Sequence, residues 1–142
     1  MSQSNTQEGD ILLAAGEDLS TYADVLVALY NSSNLPVVTR PVANNDYAVY
    51  VLVYGATPGG NAQVRPLNPN RSVRVLASGA GNPGDLLVLA DGVTTAANRG
   101  MVRSKSTLTA GSGAYRLVGI AEEAFITGQL VKMRPTSGSI TV

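Results

Sequence analysis

The chain contains no cysteine, no histidine and no tryptophan. Without cysteine it has no disulfide and no thiolate metal site. Without histidine it lacks the usual imidazole acid, base or ligand. No Ser-His-Asp set and no Cys-His pair can therefore be assembled. Charge is scarce as well. Only 14% of the residues are charged, and ten Lys and Arg balance ten Asp and Glu. A formal charge of zero gives no general attraction to nucleic acid or to an anionic membrane. A weakly charged surface is poorly protected against association. This points to a protein bound to copies of itself or to something larger. No run approaches the ~18 apolar residues that a membrane span needs. Residues 1–7 lack the basic and apolar regions of a signal peptide, so synthesis in a cytoplasm is expected. No cofactor is expected. The 142 residues suggest one domain.

What the chain does have is short apolar runs between turn signals. The clearest stretch is 73–95, where three Val- and Leu-rich runs are separated by Gly79 to Gly84 and by Asp91-Gly92. Glycine and proline mark the first turn, and Asp-Gly is a hairpin signal. The runs are too short for helices, so a three-stranded meander is expected. Further strands are expected at 11–15, ended by Gly16, at 25–30 returning through 36–39, and at 47–54. Leu19, Tyr22, Ala23, Leu26 and Tyr30 also lie at helical spacing, but the strand reading of 25–30 is favoured. Alternation in 47–54 puts Tyr47, Val49, Val51 and Val53 on one face. Ala48, Tyr50, Leu52 and Tyr54 take the other, and both faces are expected to be covered. Shorter strands are read at 62–65, stopped by Pro66, and at 130–134, stopped by Pro135. Edge pieces are read at 101–102 and 107–109. The strand at 115–121 contains Gly119, a mark of a bulge or a close approach.

These elements predict an all-β fold, a small antiparallel β-barrel or sandwich-like domain of short strands with long loops. Residues 1–9 are expected as a flexible arm, either frayed or ordered on a neighbouring subunit. Residues 10–135 form the domain, and 136–142 a polar tail. A short internal match, G-G-N-A-Q-V-R-P at 59–66 against G-Q-L-V-K-M-R-P at 128–135, suggests two halves, about 10–66 and 71–135, linked through 66–70.

Chemistry-bearing patterns are thin. Asp85 and Asp91 sit at turns. Glu122 and Glu123 are adjacent, so on a strand they diverge, which does not make a carboxylate dyad. The glycines at 79–84 lack the Lys-Ser/Thr close of a phosphate loop. Arg65, Arg71 and Arg74 form one basic group, and Arg99, Arg103 and Lys105 another. Arginine suits protein interfaces as well as solvated edges. Six tyrosines stand against one phenylalanine, and tyrosine suits interfaces equally. The candidate interface residues are Ile11, Leu12, Leu13, Tyr22, Tyr47, Tyr50, Tyr54, Arg65, Arg71, Arg74, Arg99 and Arg103. No catalytic, metal or cofactor site is expected.

Four stretches together carry a resemblance. They are 15–22 (A-G-E-D-L-S-T-Y), 50–65 (Y-V-L-V-Y-G-A-T-P-G-G-N-A-Q-V-R), 73–92 with its Gly-Asp and Asp-Gly turns, and 118–131 with V-G-I-A-E-E-A and G-Q-L-V. In order and spacing they are similar to the capsid cement, or head decoration, proteins of tailed bacteriophages. The resemblance spans about residues 10–135, with departures at 27–45 and 100–113. It implies a non-enzymatic protein on the outer capsid surface that stabilises the shell. It also implies the major capsid protein as partner and a homo-oligomer, with a trimer favoured. Nucleic acid and membrane are not expected partners. The alternatives are another virion component, such as a tail or fibre-base protein, and a small β-barrel ligand binder or enzyme.

Overall fold

The computed structural model describes residues 9–90 and 95–142. Its regular elements are β1 (Ile11–Ala15), β2 (Leu26–Ser32), β3 (Leu35–Thr39), β4 (Ala48–Tyr54), β5 (Asn61–Pro66), β6 (Val73–Leu76), β7 (Leu86–Leu89), β8 (Val102–Ser104), β9 (Ala114–Ala121) and β10 (Leu130–Thr141). Two single 3₁₀ turns, Ala96–Asn98 and Lys105–Thr107, complete them, and no α-helix occurs among the described residues. The fold is all-β, as short bounded apolar runs require.

The first five strands close a barrel in the order β1-β3-β2-β4-β5. β1 runs antiparallel to β5 and parallel to β3, and the remaining pairs are antiparallel. The β2–β3 hairpin is tight because Ser33 and Asn34 both take positive φ, 51° and 67°, as a two-residue type I′ turn demands. Inside lie Ala15, Leu19, Val25, Val27, Val38, Leu52, Ala62 and Val64.

The last five strands form a sheet in the order β6-β10-β9-β7-β8. This is the same sequence of neighbours, strand for strand, as in the first set. The sheet curls toward closure. Ala77, just past β6, bridges Val102 of β8 in parallel, and Ser78 N–H donates to Val102 O at 2.8 Å. The first barrel does the same with Ala15 beside Val38 and Gly16 N–H donating to Val38 O at 2.9 Å. The two matching stretches of sequence occupy matching places. Gly59 and Gly128 both have φ +83°, and their N–H groups donate at 2.9 Å to Ala15 O and Ala77 O. Even the packing under these turns corresponds, with sizes exchanged. Leu19 lies against the Ala56 backbone in the first set and Gly81 against Phe125 in the second. A Cβ on Gly81 would sit 2.4 Å from the Phe125 ring.

The two sets share an apolar cluster outside the first barrel's own interior. Leu26, Ala48 and Val51 turn out of the first barrel into the cluster built on Val75, Leu87, Leu89, Val102, Val118, Val131 and Met133. The link that runs back from the second set is polar. Gly100 O accepts from Leu26 N–H at 2.7 Å, and Arg99 reaches Glu17.

Several expectations need correction. The stretch 73–95 is not a meander. β6 pairs with β10, and β7 with β9 and β8, so β6 and β7 are not neighbours. The Asp91-Gly92 hairpin and the strand after it fall largely on residues 91–94, outside the described residues. Residues 107–109 form no strand, because 105–107 wind into a 3₁₀ turn in which Ser104 Oγ accepts from Ser106 N–H. Pro135 does not stop β10. The bond from Glu122 N–H to Lys132 O, 2.9 Å, sets the phase of the ladder so that the proline nitrogen faces away from β9. On that side β6 pairing has already ended at Met133, so no donor is missed. A register shift follows between Pro135 and Gly138, and 138–141 then pair with β9 instead of forming a tail. In β4 a bulge near Leu52 breaks the strict alternation. Its middle is covered on both faces, but Val49 and Tyr54 are exposed. Gly119 does mark a close approach, since a Cβ there would lie 2.8 Å from Met133 Sδ.

The loop before β4 is organised by one carboxylate. Asp46 Oδ2 accepts from Tyr30 Oη at 2.6 Å, Val42 N–H at 2.9 Å and Ala43 N–H at 3.1 Å. Burial, reinforced by the bond to the Asp46 carboxylate, pushes the Tyr30 hydroxyl up to about 12. A raised phenol stabilises the fold fully below its unfolded value of about 10, and the contribution is lost as pH rises through the folded value. Stability should therefore fall between about pH 10 and 12. An absorbance titration at tyrosinate wavelengths should show one ionisation near pH 12. Tyr30→Phe should remove that step and flatten the fall. A Tyr30→Phe titration identical to wild type would refute the assignment.

Candidate functional site

The candidate interface residues do not form one patch. Ile11 and Leu13 pack against the first barrel's core, while Leu12 between them points out and is 63% exposed. Tyr22 and Tyr50 also pack against that core. The Arg40 guanidinium lies 4.0 Å over the Tyr22 ring. Tyr47 is exposed at the seam between the two sheets, with the Arg116 guanidinium 3.9 Å over its ring. Tyr54 is 69% exposed at the end of β4.

The arginines are mostly engaged within the chain. Arg65 donates through Nε to Asp10 Oδ1 at 2.7 Å, and Arg71 to Pro66 O at 3.1 Å. Arg74 pairs with Glu123 at 2.8 Å. Arg99 pairs with Glu17 at 3.0 Å, and Arg103 donates to Thr107 O at 2.8 Å. Of the first group, Arg65 and Arg74 line one shallow hollow, together with Asp24 and Lys132. The second group separates, with Arg99 directed into the first barrel and Arg103 onto its own turn.

Most of the described carboxylates are committed to turns and ion pairs. Asp85 Oδ2 accepts from Asn82 N–H at 3.0 Å and Ser104 Oγ at 2.9 Å. Asp91 lies outside the described residues. Glu122 is bonded to Ser72 and Arg134, and Glu123 to Arg74 and Lys132 N–H. The Ser72 hydroxyl holds Glu122 below the ordinary carboxylate range, and the Lys132 backbone N–H does so for Glu123. Both are stabilised as anions, which suits neither for giving up a proton at neutral pH. Among the described residues no group of three or more His, Cys, Asp and Glu is placed to hold a metal ion. Nor is any described helix long and apolar enough to cross a membrane.

The matching of the two sheets exposes one pronounced difference. Across the outside of the first barrel, cross-strand register aligns Leu12 (β1) with Gln63 (β5), and Gln63 with Tyr54 (β4). The equivalent row in the second sheet is Arg74 (β6) beside Lys132 (β10), with Glu123 following β9 and bonded to both. One row is charged and internally paired. The other presents an aromatic ring and a leucine to solvent. Sequence reading named Leu12 and Tyr54 but had no means of placing them in one row. It missed Leu35, 67% exposed on β3, and the Glu17–Arg40 pair, since Glu17 lies 23 residues from Arg40 and 82 from Arg99.

No protein-family model matches the chain, and no curated protein matches it. Among solved structures it is similar to the head fiber gp8.5 N base in bacteriophage phi29, with a TM-score of 0.64 and 21% identity. The match covers 89% of this chain and 92% of that one. The likeness establishes the fold. It also corrects the expected family and function, because the matched structure is a head-fibre base and not a shell-stabilising cement protein.

Proposed function

We propose that the chain is a non-enzymatic structural protein of a phage particle, serving as the base on which a head fibre or similar projection is seated. The observation that carries this reading is the match to a fibre base along 89% of this chain and 92% of the other. The adhesive character of the surface supports it. A closed barrel joined to a curled sheet through a shared apolar cluster makes a rigid block, and Asp10, Glu17, Glu122 and Glu123 are held in ion pairs with arginines. Other head proteins, the major capsid protein among them, are its partners, and the base assembles as a homo-oligomer, a trimer by preference. A rigid foot of this kind holds its particle through repeated modest contacts that add by avidity.

Gold-labelled antibody against the chain, imaged on intact particles by negative stain, tests the reading. Label is expected at the roots of head projections. Label spread evenly over the shell, confined to the tail, or absent from purified particles would each overturn it.

A further inference from the structure

We propose that the outer row of the first barrel, Leu12 and Tyr54 flanked by Leu35, is the face through which a second copy of this chain docks. The inference rests on the homo-oligomer in the proposed function and adds where the copies meet.

The row is unusual by an internal standard. The same positions in the second sheet carry Arg74, Lys132 and Glu123, the ordinary solvated arrangement. In the first barrel they carry Leu12, Gln63 and Tyr54, with Leu12 63% and Tyr54 69% exposed. Leu35 extends the row. β1 and β3 run parallel with Ala14 beside Val37, and Leu35, two residues before Val37, is 67% exposed on the same strand.

Charge decides what can cover such a row. The Gln63 amide and the charges beside the row are already engaged. Gln63 Nε2 donates to Asp10 Oδ2 at 2.7 Å, and Asp10 also takes Arg65 in a pair at 2.7 Å. The flanking charges thus neutralise each other, and the row asks for an apolar, uncharged partner. Another copy's same row has that chemistry. The second sheet's row does not, because a head-to-tail contact would bury Arg74, Lys132 and Glu123 beneath leucine and tyrosine without new partners. The copies therefore meet first barrel against first barrel, packed around a symmetry axis so that each copy's row lies beside the same row of its neighbours. The closed barrel offers no free strand edge here, so side chains make the contact and strand addition does not. Three side chains fall well short of the roughly 800 Å² per partner typical of stable complexes. Association of the free protein is accordingly weak and is strengthened by local concentration on a particle.

Sedimentation velocity of the full chain from about 10 µM to about 1 mM reads the effect as a dissociation constant. Wild type is expected to sediment faster with concentration. Leu12→Glu/Tyr54→Glu should weaken association by about tenfold or more. Arg74→Gln, on the matching charged row, should behave as wild type. Circular dichroism checks each fold, and if the double variant is unfolded, Tyr54→Ser decides alone, since its ring is mostly in solvent. A wild type that stays monomeric throughout overturns both this face and the homo-oligomer. Association undiminished in a folded Leu12/Tyr54 variant overturns the face and leaves the homo-oligomer standing. Association lost in Arg74→Gln moves the contact to the second sheet and overturns the face equally.

Discussion

Replacing Gly55 by alanine is expected to cost about 3 kcal/mol or more, one of the largest effects of any single methyl group in this chain. A Cβ at this position would lie 1.6 Å from Leu19 O and 2.4 Å from Leu19 C. Both are backbone atoms, so no rotamer change relieves the clash. Leu19 cannot simply withdraw. Its side chain is fully buried in the first barrel, its N–H donates to Ala56 O at 2.9 Å, and its carbonyl accepts from Tyr22 N–H at 3.1 Å. Room for one methyl requires moving the 19–22 turn away from the end of β4, which opens the barrel mouth. Gly59, four residues on, is the internal comparison. A Cβ there meets nothing within 4 Å, but φ is +83°, so Gly59→Ala should cost only about 1 kcal/mol of backbone strain. Urea unfolding followed by circular dichroism separates them. The Gly55→Ala melting temperature should drop by roughly 10 °C. A Gly55→Ala variant no less stable than Gly59→Ala would show that the approach of Leu19 to β4 is not as close as described.

Gly55 also shows how far the sequence could be read. It stood in a turn between two strong β runs, and the turn is there. What it touches, a carbonyl 36 positions earlier in the chain, has no local signature. The same limit runs through the fold. The β2–β3 hairpin was legible because Asn31 to Asn34 form a turn cluster between two apolar runs, and reversal of direction is a local matter. Pairing of β6 with β10 was not, because Val75 and Val131 find each other across the whole second half. Turn signals at 79–84 announce that the chain bends, not which strand it will meet. The short match between 59–66 and 128–135 falls on two turns whose glycines, Gly59 and Gly128, share a φ of +83°. The expected family failed for a related reason. The stretches that suggested it are turns and hinges such as Ala15-Gly16 and the glycines at 59 and 128, which the barrel requires whatever the protein binds. Such residues report architecture. Tyrosine and arginine were equally ambiguous, because residue type alone does not separate Tyr22, packed on a core, from Tyr54, standing in solvent.

The second large effect is expected at Glu17, whose removal should cost about 3 kcal/mol. Glu17 follows β1 and serves two arginines at once. Oε1 accepts from the Arg40 side chain at 2.9 Å, and Oε2 from Arg40 N–H at 2.8 Å and Arg99 at 3.0 Å. Arg99 donates further to Arg40 O at 2.7 Å and Pro41 O at 3.0 Å. The Arg40 side chain is only 10% exposed and the Arg99 side chain 19%. Without the carboxylate, two poorly hydrated cations face each other, and an unpaired charge costs more than the pair contributed. Glu17 is itself 22% exposed, so water entry offsets part of the loss and the lower end of the usual 3–5 kcal/mol range applies. Arg99→Ala is the informative contrast. It takes away one cation and leaves the Glu17–Arg40 pair whole, so it should cost about 1–2 kcal/mol. Removing both residues should cost less than the two losses added, because the second change relieves the repulsion left by the first. Urea midpoints of the two single variants and the double variant measure the coupling. Added salt should change it little, since partly buried pairs are weakly screened. Equal costs for Glu17→Ala and Arg99→Ala, or strict additivity, would mean that Glu17 holds each arginine independently. The expected coupling instead makes it the joint at which the connection between β7 and β8 is held to the first barrel. Glu17→Ala should then also speed amide exchange at Leu26, whose N–H donates to Gly100 O beside that joint.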